Sequence, residues 1–313
     1  MNISTAALTT STTTAARASF LGLLRGEARK ITRLRITWLM ALLYTGILAV
    51  LQLVLATGPH TADQLRADPL GGLYNVMEGD LSLVRIFSGI FLLVLTAHVV
   101  GLDYQQGLRV VLARGVGRVQ LLGAKTLTLA LTGLGLFIWG CAIQLGFGVV
   151  VVRALAGSSA PWTALNGHYW SDTAYYALCV LISMGATLLL GIAASVVGRS
   201  LAFGLAVGLS WFAVDNLAII ALNVAYQITH QDFWRELSAY SLGLLLNRLP
   251  DYLVPNNGLA SAGPGGSTPR VSGFGLMPLV PVTATHAIVV ITLYATIFAV
   301  VAIVLAARRD VGE

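Results

Sequence analysis

Two places in this 313-residue chain gather side chains whose types and spacing can do chemistry. One is the polar stretch 103–125, set between two long apolar runs. It opens on Asp103 and Tyr104, passes Gly107, and then presents Arg109, Leu112, Arg114, Arg118 and Lys125. Charges in that order suit ion pairing with a soluble partner; they do not make or break covalent bonds. The other place is Asp215, about 21 Å along the apolar run that begins at Leu201, at one helical rise per residue. Asn216 adjoins it, and Trp211 lies one turn earlier on the same helical face. A carboxylate so placed is either a polar point on a substrate path or a structural partner, for example of Arg85.

Catalysis by the chain itself is not expected. The nearest approach to a phosphate-binding loop, Gly123-Ala124-Lys125-Thr126, has an alanine between glycine and lysine and does not follow a strand. There is no H-E-x-x-H and no G-x-S-x-G nucleophile elbow. His60, His98, His168, His230 and His286 are scattered. Cys141 and Cys179 both fall inside apolar runs and form no C-x-x-C pair. The expectation is a non-enzyme with no cofactor of its own.

The elements that must position these groups are membrane spans. Hydrophobic residues make up 57% of the chain and charged ones 10%, where a soluble domain carries roughly a quarter charged. An all-α membrane protein is therefore expected, with six transmembrane helices over 36–57, 81–102, 126–152, 173–197, 201–226 and 283–307. With the N-terminus inside, thirteen Lys and Arg fall on inner segments and five on the longer outer ones, leaving Arg85 just within the second span. That bias makes both termini cytoplasmic. It also accounts for the net charge of +6 without a nucleic-acid partner.

The remaining segments follow from composition. Residues 1–17 read as a disordered cytoplasmic tail rich in Ser and Thr. In 18–35, Phe20, Leu21, Leu24, Ala28, Ile31 and Leu34 recur at helical spacing among Arg25, Arg29, Lys30, Arg33 and Arg35. This predicts an amphipathic helix in the membrane interface, with a plain lead-in to the first span as the blander reading. The outer loop 58–80 carries Asp63, Asp68, Glu78 and Asp80, and 153–172 carries Pro161, Trp162, Tyr169 and Trp170. In the large external loop 227–282, residues 232–254 read as helical around Leu242, Leu244, Leu245 and Leu246. Pro250 ends or kinks that helix. It is too short to span, so it is re-entrant or lies on the outer surface. Residues 255–281 are a Gly-, Pro- and Ser-rich loop, and 308–313 a cytoplasmic end. Gly204 and Gly208 form a G-x-x-x-G read as close packing within the subunit, and Gln52, Gln144 and Asn223 as interhelical hydrogen-bonders.

Basic charge in 103–125 follows from topology, but its order does not. Residues 104–113 are compatible with a short helix stopped at Gly115, with Gly117 permitting the corner into the third span. The series Asp103, Gly107-Leu108, Arg109-Val-Val-Leu112, Gly115-Val-Gly117-Arg118 and Lys125 resembles the permease subunits of type-2 ABC exporters. There an acid ends the second span, followed by Gly-Thr, an Arg-x-x-Leu-Leu run, a small-Val-Ser-Arg corner and a lysine. This chain departs in having Asp for the commoner Glu, Leu108 for Thr and Gly117 for Ser. The start of the chain, with Glu27 and Lys30, looks like that family's connecting helix.

The resemblance implies a permease subunit of an ATP-driven exporter in a prokaryotic plasma membrane. It implies two separate ATPase subunits, which hold ATP and Mg, and a second permease, identical or related. Asp103, Tyr104, Gly107, Arg109, Leu112, Arg114 and Arg118 would form the coupling loop. Asp215, Asn216 and Trp211 would lie on a possible substrate path. The alternative is a non-ABC membrane protein, either a scaffold or a proton-coupled secondary transporter using Asp215. Such a transporter should show several facing intramembrane acids or an internal repeat.

Overall fold

A computed structural model describes residues 19–56, 61–106, 116–157, 160–163, 165–253 and 278–308. The described residues are helical, with no strand among them. Helix α1 (Phe20–Arg33) is followed by α2 (Arg35–Ala56) after a break of one residue. Leu34 is extended, with φ −69° and ψ 121°, while its N–H still bonds the carbonyls of Lys30 and Ile31. The Trp38 indole N–H braces this bend by donating to the Thr32 carbonyl at 2.8 Å. The amphipathic segment therefore turns away from the axis of the first long helix.

Helix α3 (Thr61–Ala67) leads to α4 (Pro69–Thr96), which runs through a π turn at Ala97–Gly101 into α5 (Leu102–Gln106). The long helix begins earlier than hydropathy indicated. Asp68 caps it by accepting from the Gly71 N–H at 3.0 Å, and Pro69 takes the first-turn position where no N–H is needed. Glu78 and Asp80 consequently ride on a helix and not in a loop. Then come α6 (Arg118–Ala156), α7 (Ala160–Thr163), α8 (Gly167–Gly198) and α9 (Leu201–Thr229). Next are α10 (Phe233–Leu237), a 3₁₀ turn at Ser238–Tyr240, α11 (Leu242–Leu253) and α12 (Ala284–Arg308).

Six of these helices are long and apolar enough to cross a membrane, giving the architecture of a multi-span helical membrane protein. Helices α4 and α8 are central: 67% and 61% of their most apolar stretches are buried, against 12–28% in the other four. Hydrogen bonds cross this centre. Tyr44 on α2 pairs with Ser88 on α4 at 2.9 Å, and Ser82 on α4 with Tyr176 on α8 at 2.8 Å. Bonds of this kind contribute roughly 0.6–2 kcal/mol between helices in lipid. Of the three amides expected to bridge helices, Gln52 and Gln144 both reach Asp80. Asn223 is exposed and has no such partner among the described residues.

Small residues set the approach of α9. A Cβ on Gly204 would lie 2.4 Å from the Ser195 hydroxyl, and one on Gly208 2.7 Å from Leu93. The G-x-x-x-G thus packs α9 against α8 and α4 within the subunit. Gly101, in the π turn, has less room to give, because its Cβ would meet backbone, the Leu201 N and Cα, at 2.7 Å. That contact presses the end of α4 against the start of α9. Gly117 behaves differently from expectation: its φ of −66° and ψ of 136° are extended backbone open to any residue.

Candidate functional site

At the end of the bundle where α1 lies, four charged side chains from three elements meet. Glu27 and Lys30 stand on α1, Asp103 one residue into α5, and Lys125 in the second turn of α6. The Lys125 ammonium donates to Glu27 Oε2 at 3.0 Å and to Asp103 Oδ2, while Lys30 donates to Asp103 Oδ1. Burial grades the network: the Lys125 side chain is 4% exposed, Glu27 13%, Asp103 20% and Lys30 38%. Lys125 is thus the enclosed hub and Lys30 its wet edge.

The sequence assembles this geometry locally. Glu27 and Lys30 are three residues apart, so both project from one face of α1. Ile31 beside them is buried in the main core, anchoring that face. Asp103 follows the π turn at Ala97–Gly101, which resets the helical phase before the acid; such turns recur at functional positions. Lys125 enters the core with Leu121, Leu122 and Ala124. The network therefore joins α1 to both helices that border the stretch 103–125. It consists of three ion pairs, made by two lysines with two carboxylates.

Of the sequence-derived coupling residues, Asp103 is in this network. Tyr104 packs, half-buried, against the main core. Arg118 is half-buried and is the first residue of α6. Gly107, Arg109, Leu112 and Arg114, with most of the short helix expected at 104–113, lie outside the described residues. Lys125 carried a signal that topology masked, since a lysine at the inner end of a span reads as an ordinary positive-inside charge.

The second place is organised around α11. Asp215 does not pair with Arg85; both hold this helix. Asp215 Oδ1 accepts from the Ser241 hydroxyl at 2.6 Å, and Oδ2 accepts from the Gly243 N–H. An acid borrowed from α9 thus caps the N-terminus of α11, where free N–H groups and the helix dipole favour a negative charge. Arg85, 4% exposed, donates from Nη1 to the carbonyls of Leu246 and Asn247 at 2.7 and 2.9 Å. The partner of the Leu246 carbonyl in a regular helix would be the N–H of residue 250, and Pro250 has none. Arg85 fills that vacancy. Leu242, Leu244, Leu245, Leu246 and Leu249 are all buried, so α11 is enclosed by neighbouring helices. Trp211 packs edge-on against Phe298 and Tyr294 of α12, at 5.8 and 6.3 Å. The Asn216 side chain lies outside the described ones.

This arrangement predicts a rescue. Arg85→Met strands the Leu246 carbonyl, and an orphaned buried carbonyl costs about 1–3 kcal/mol. Pro250→Ala returns an N–H to that carbonyl, so Arg85→Met/Pro250→Ala should unfold at higher denaturant than Arg85→Met alone. Additive losses in a double-mutant cycle would refute the shared carbonyl.

No group of three or more His, Cys, Asp or Glu with metal-binding geometry occurs among the described residues. No protein-family model matches this sequence, and no curated protein matches it.

Proposed function

We propose that the chain is the transmembrane permease subunit of an ATP-driven ABC exporter in a prokaryotic plasma membrane. The α1 end of the bundle and both termini then face the cytoplasm, as the distribution of Lys and Arg requires. Helix α1 lies in the interface with its basic residues toward headgroups. The observation that carries the reading is the network of Glu27, Lys30, Asp103 and Lys125. It supports a coupling role because it fastens α1 to the two helices flanking 103–125, so a displacement of that stretch moves all three together.

In this reading residues 104–113 dock on a separate ATPase subunit, with Arg109 and Arg114 against acidic partner groups. Closure of the ATPase pair on ATP pushes the stretch. The push passes through Asp103 and Lys125 into α4 and α6, and α4 carries it to α9 at the Gly101–Leu201 contact. Nucleotide and Mg chemistry belongs to the partner. A second permease completes the path; α9, the least buried of the six long helices, exposes Val214, Leu217, Ile220 and Val224 toward lipid or that second subunit.

The test is co-purification of an ATPase subunit from the native membrane, then its activity in the complex. Arg109→Glu and Gly107→Pro should each weaken retention of the ATPase or lower hydrolysis at least about tenfold, the cost of one desolvated charge contact. Unchanged hydrolysis and retention in both would sink the coupling assignment. A proton-coupled transporter is less favoured, because both Asp215 oxygens are committed to capping α11.

A further inference from the structure

A second polar cluster lies toward the other end of the bundle, among α4, α6, α7 and α8. It borders a cavity of about 250 Å³. Asp80 and Gln144 enter that cavity from α4 and α6, with Cys141 one turn from Gln144. Leu145 and Val149 are among its apolar walls, and Trp162, Tyr169 and Trp170 line it from α7 and α8. The Gln144 amide N–H donates to Asp80 Oδ1 at 3.2 Å, and the Gln52 amide also bonds this carboxylate.

The cluster is rich in acceptors and poor in donors. Gln52 and Gln144 are each 3% exposed, and the side-chain carbonyl of each has no hydrogen-bond partner among the described residues. Asp80 forms no ion pair with any described Lys, Arg or His. Buried polar groups are ordinarily satisfied, and a buried carboxylate is ordinarily paired with a cation. The carboxylate and the Gln144 carbonyl, both bordering the cavity, call for a positively charged group with several N–H donors. A primary ammonium has three donors and a unit charge. The aromatic wall suits the same charge through its ring faces, and the aliphatic wall suits an alkyl chain attached to it.

We propose that the Asp80 cavity binds the primary ammonium group of an amphiphile, held by Asp80 and the carbonyl of Gln144. Two sources share this chemistry: an aminophospholipid headgroup from the surrounding leaflet and a free alkylamine. The proposal stands apart from the ABC reading and survives its failure.

Cys141 supplies a reporter inside the cavity, and Cys179→Ala removes the other cysteine of the chain. The full-length protein is placed in phosphatidylcholine nanodiscs, and alkylation of Cys141 by N-ethylmaleimide is timed. Saturating n-octylammonium is expected to slow labelling roughly tenfold, as nine-tenths occupancy requires. Octanol, which lacks the charge, and octyltrimethylammonium, which lacks the N–H donors, should protect little. Asp80→Asn should abolish protection, its labelling rate being the same with and without amine, and a single symmetric peak in size-exclusion chromatography shows that the variant is folded. Gln144→Met, which keeps the acid and removes one acceptor, should weaken protection.

Nanodiscs containing phosphatidylethanolamine separate the sources. Slow labelling there without added amine, restored by Asp80→Asn, makes the lipid headgroup the occupant. Fast labelling there, with octylammonium still protective, makes it a free amine. Absence of protection in both lipids overturns the proposal, as does equal protection by octyltrimethylammonium or protection that persists in Asp80→Asn.

Discussion

Asp215→Leu is expected to lower stability by about 3 kcal/mol, and Asp215→Asn by about 1 kcal/mol. The carboxylate supplies acceptors for the Ser241 hydroxyl and the Gly243 N–H, both at the start of a helix enclosed by protein. Leucine leaves both donors unpaired in an apolar setting and removes the negative charge from the positive end of α11. Asparagine keeps one carbonyl acceptor for the Gly243 N–H; it loses the charge and the second acceptor, and the Ser241 hydroxyl can meet the new NH2 by rotating to accept. The midpoint of denaturant unfolding in micelles measures the difference between the two variants. Hydrogen exchange adds a local readout, because amide protection should fall first within Leu242–Leu253. A leucine variant with undiminished protection at Gly243 would remove Asp215 from the cap. Equal losses in both variants would make the charge, and not the acceptor, the stabilising property.

Six long helices were legible because runs of apolar residues that long have no other stable form in lipid. The centrality of α4 and α8 was not legible, since every span in such a protein is apolar on all sides and periodicity marks no buried face. The start of α4 was missed because hydropathy reports only the hydrocarbon-crossing part. Asp68-Pro69 was nonetheless a readable cap and first-turn pair. Asp215 and Arg85 stand out in the sequence as charges within apolar spans. Their pairing with each other failed because a carboxylate can be satisfied by backbone N–H groups and a guanidinium by carbonyls. Pro250 held the missing clue: a proline within a buried helix leaves a carbonyl for some other donor. At the α1 end, the acid-first order of 103–125 singled out Asp103. Lys125 went unnoticed as the hub because inner-end lysines are expected whether or not they pair. Asp80 was hidden more deeply, since its loop assignment gave it water in place of Gln52 and Gln144.

The larger loss at that end should come from Lys125→Met, about 3 kcal/mol, against less than about 1 kcal/mol for Lys30→Met. Both lysines contact Asp103, so proximity alone does not separate them. Burial does. Lys125 is 4% exposed, and removing its ammonium leaves Glu27 without a cation and Asp103 held only from the wet side. Lys30 is 38% exposed, and water replaces much of what it supplies. Salt provides an independent check: ions screen the exposed contact and barely reach the enclosed one, so raising ionic strength should erase the Lys30 effect and preserve the Lys125 effect. The triple variant Glu27→Gln/Asp103→Asn/Lys125→Met should recover most of the loss, because breaking a buried ion cluster costs more than replacing it whole. Unfolding midpoints at low and high salt decide the matter, and equal, equally screened losses for the two lysines would dismiss Lys125 as the hub. A variant with normal stability but lost ATPase stimulation would locate the network in coupling. In that outcome the four charges act as the joint through which α1, α4 and α6 move together.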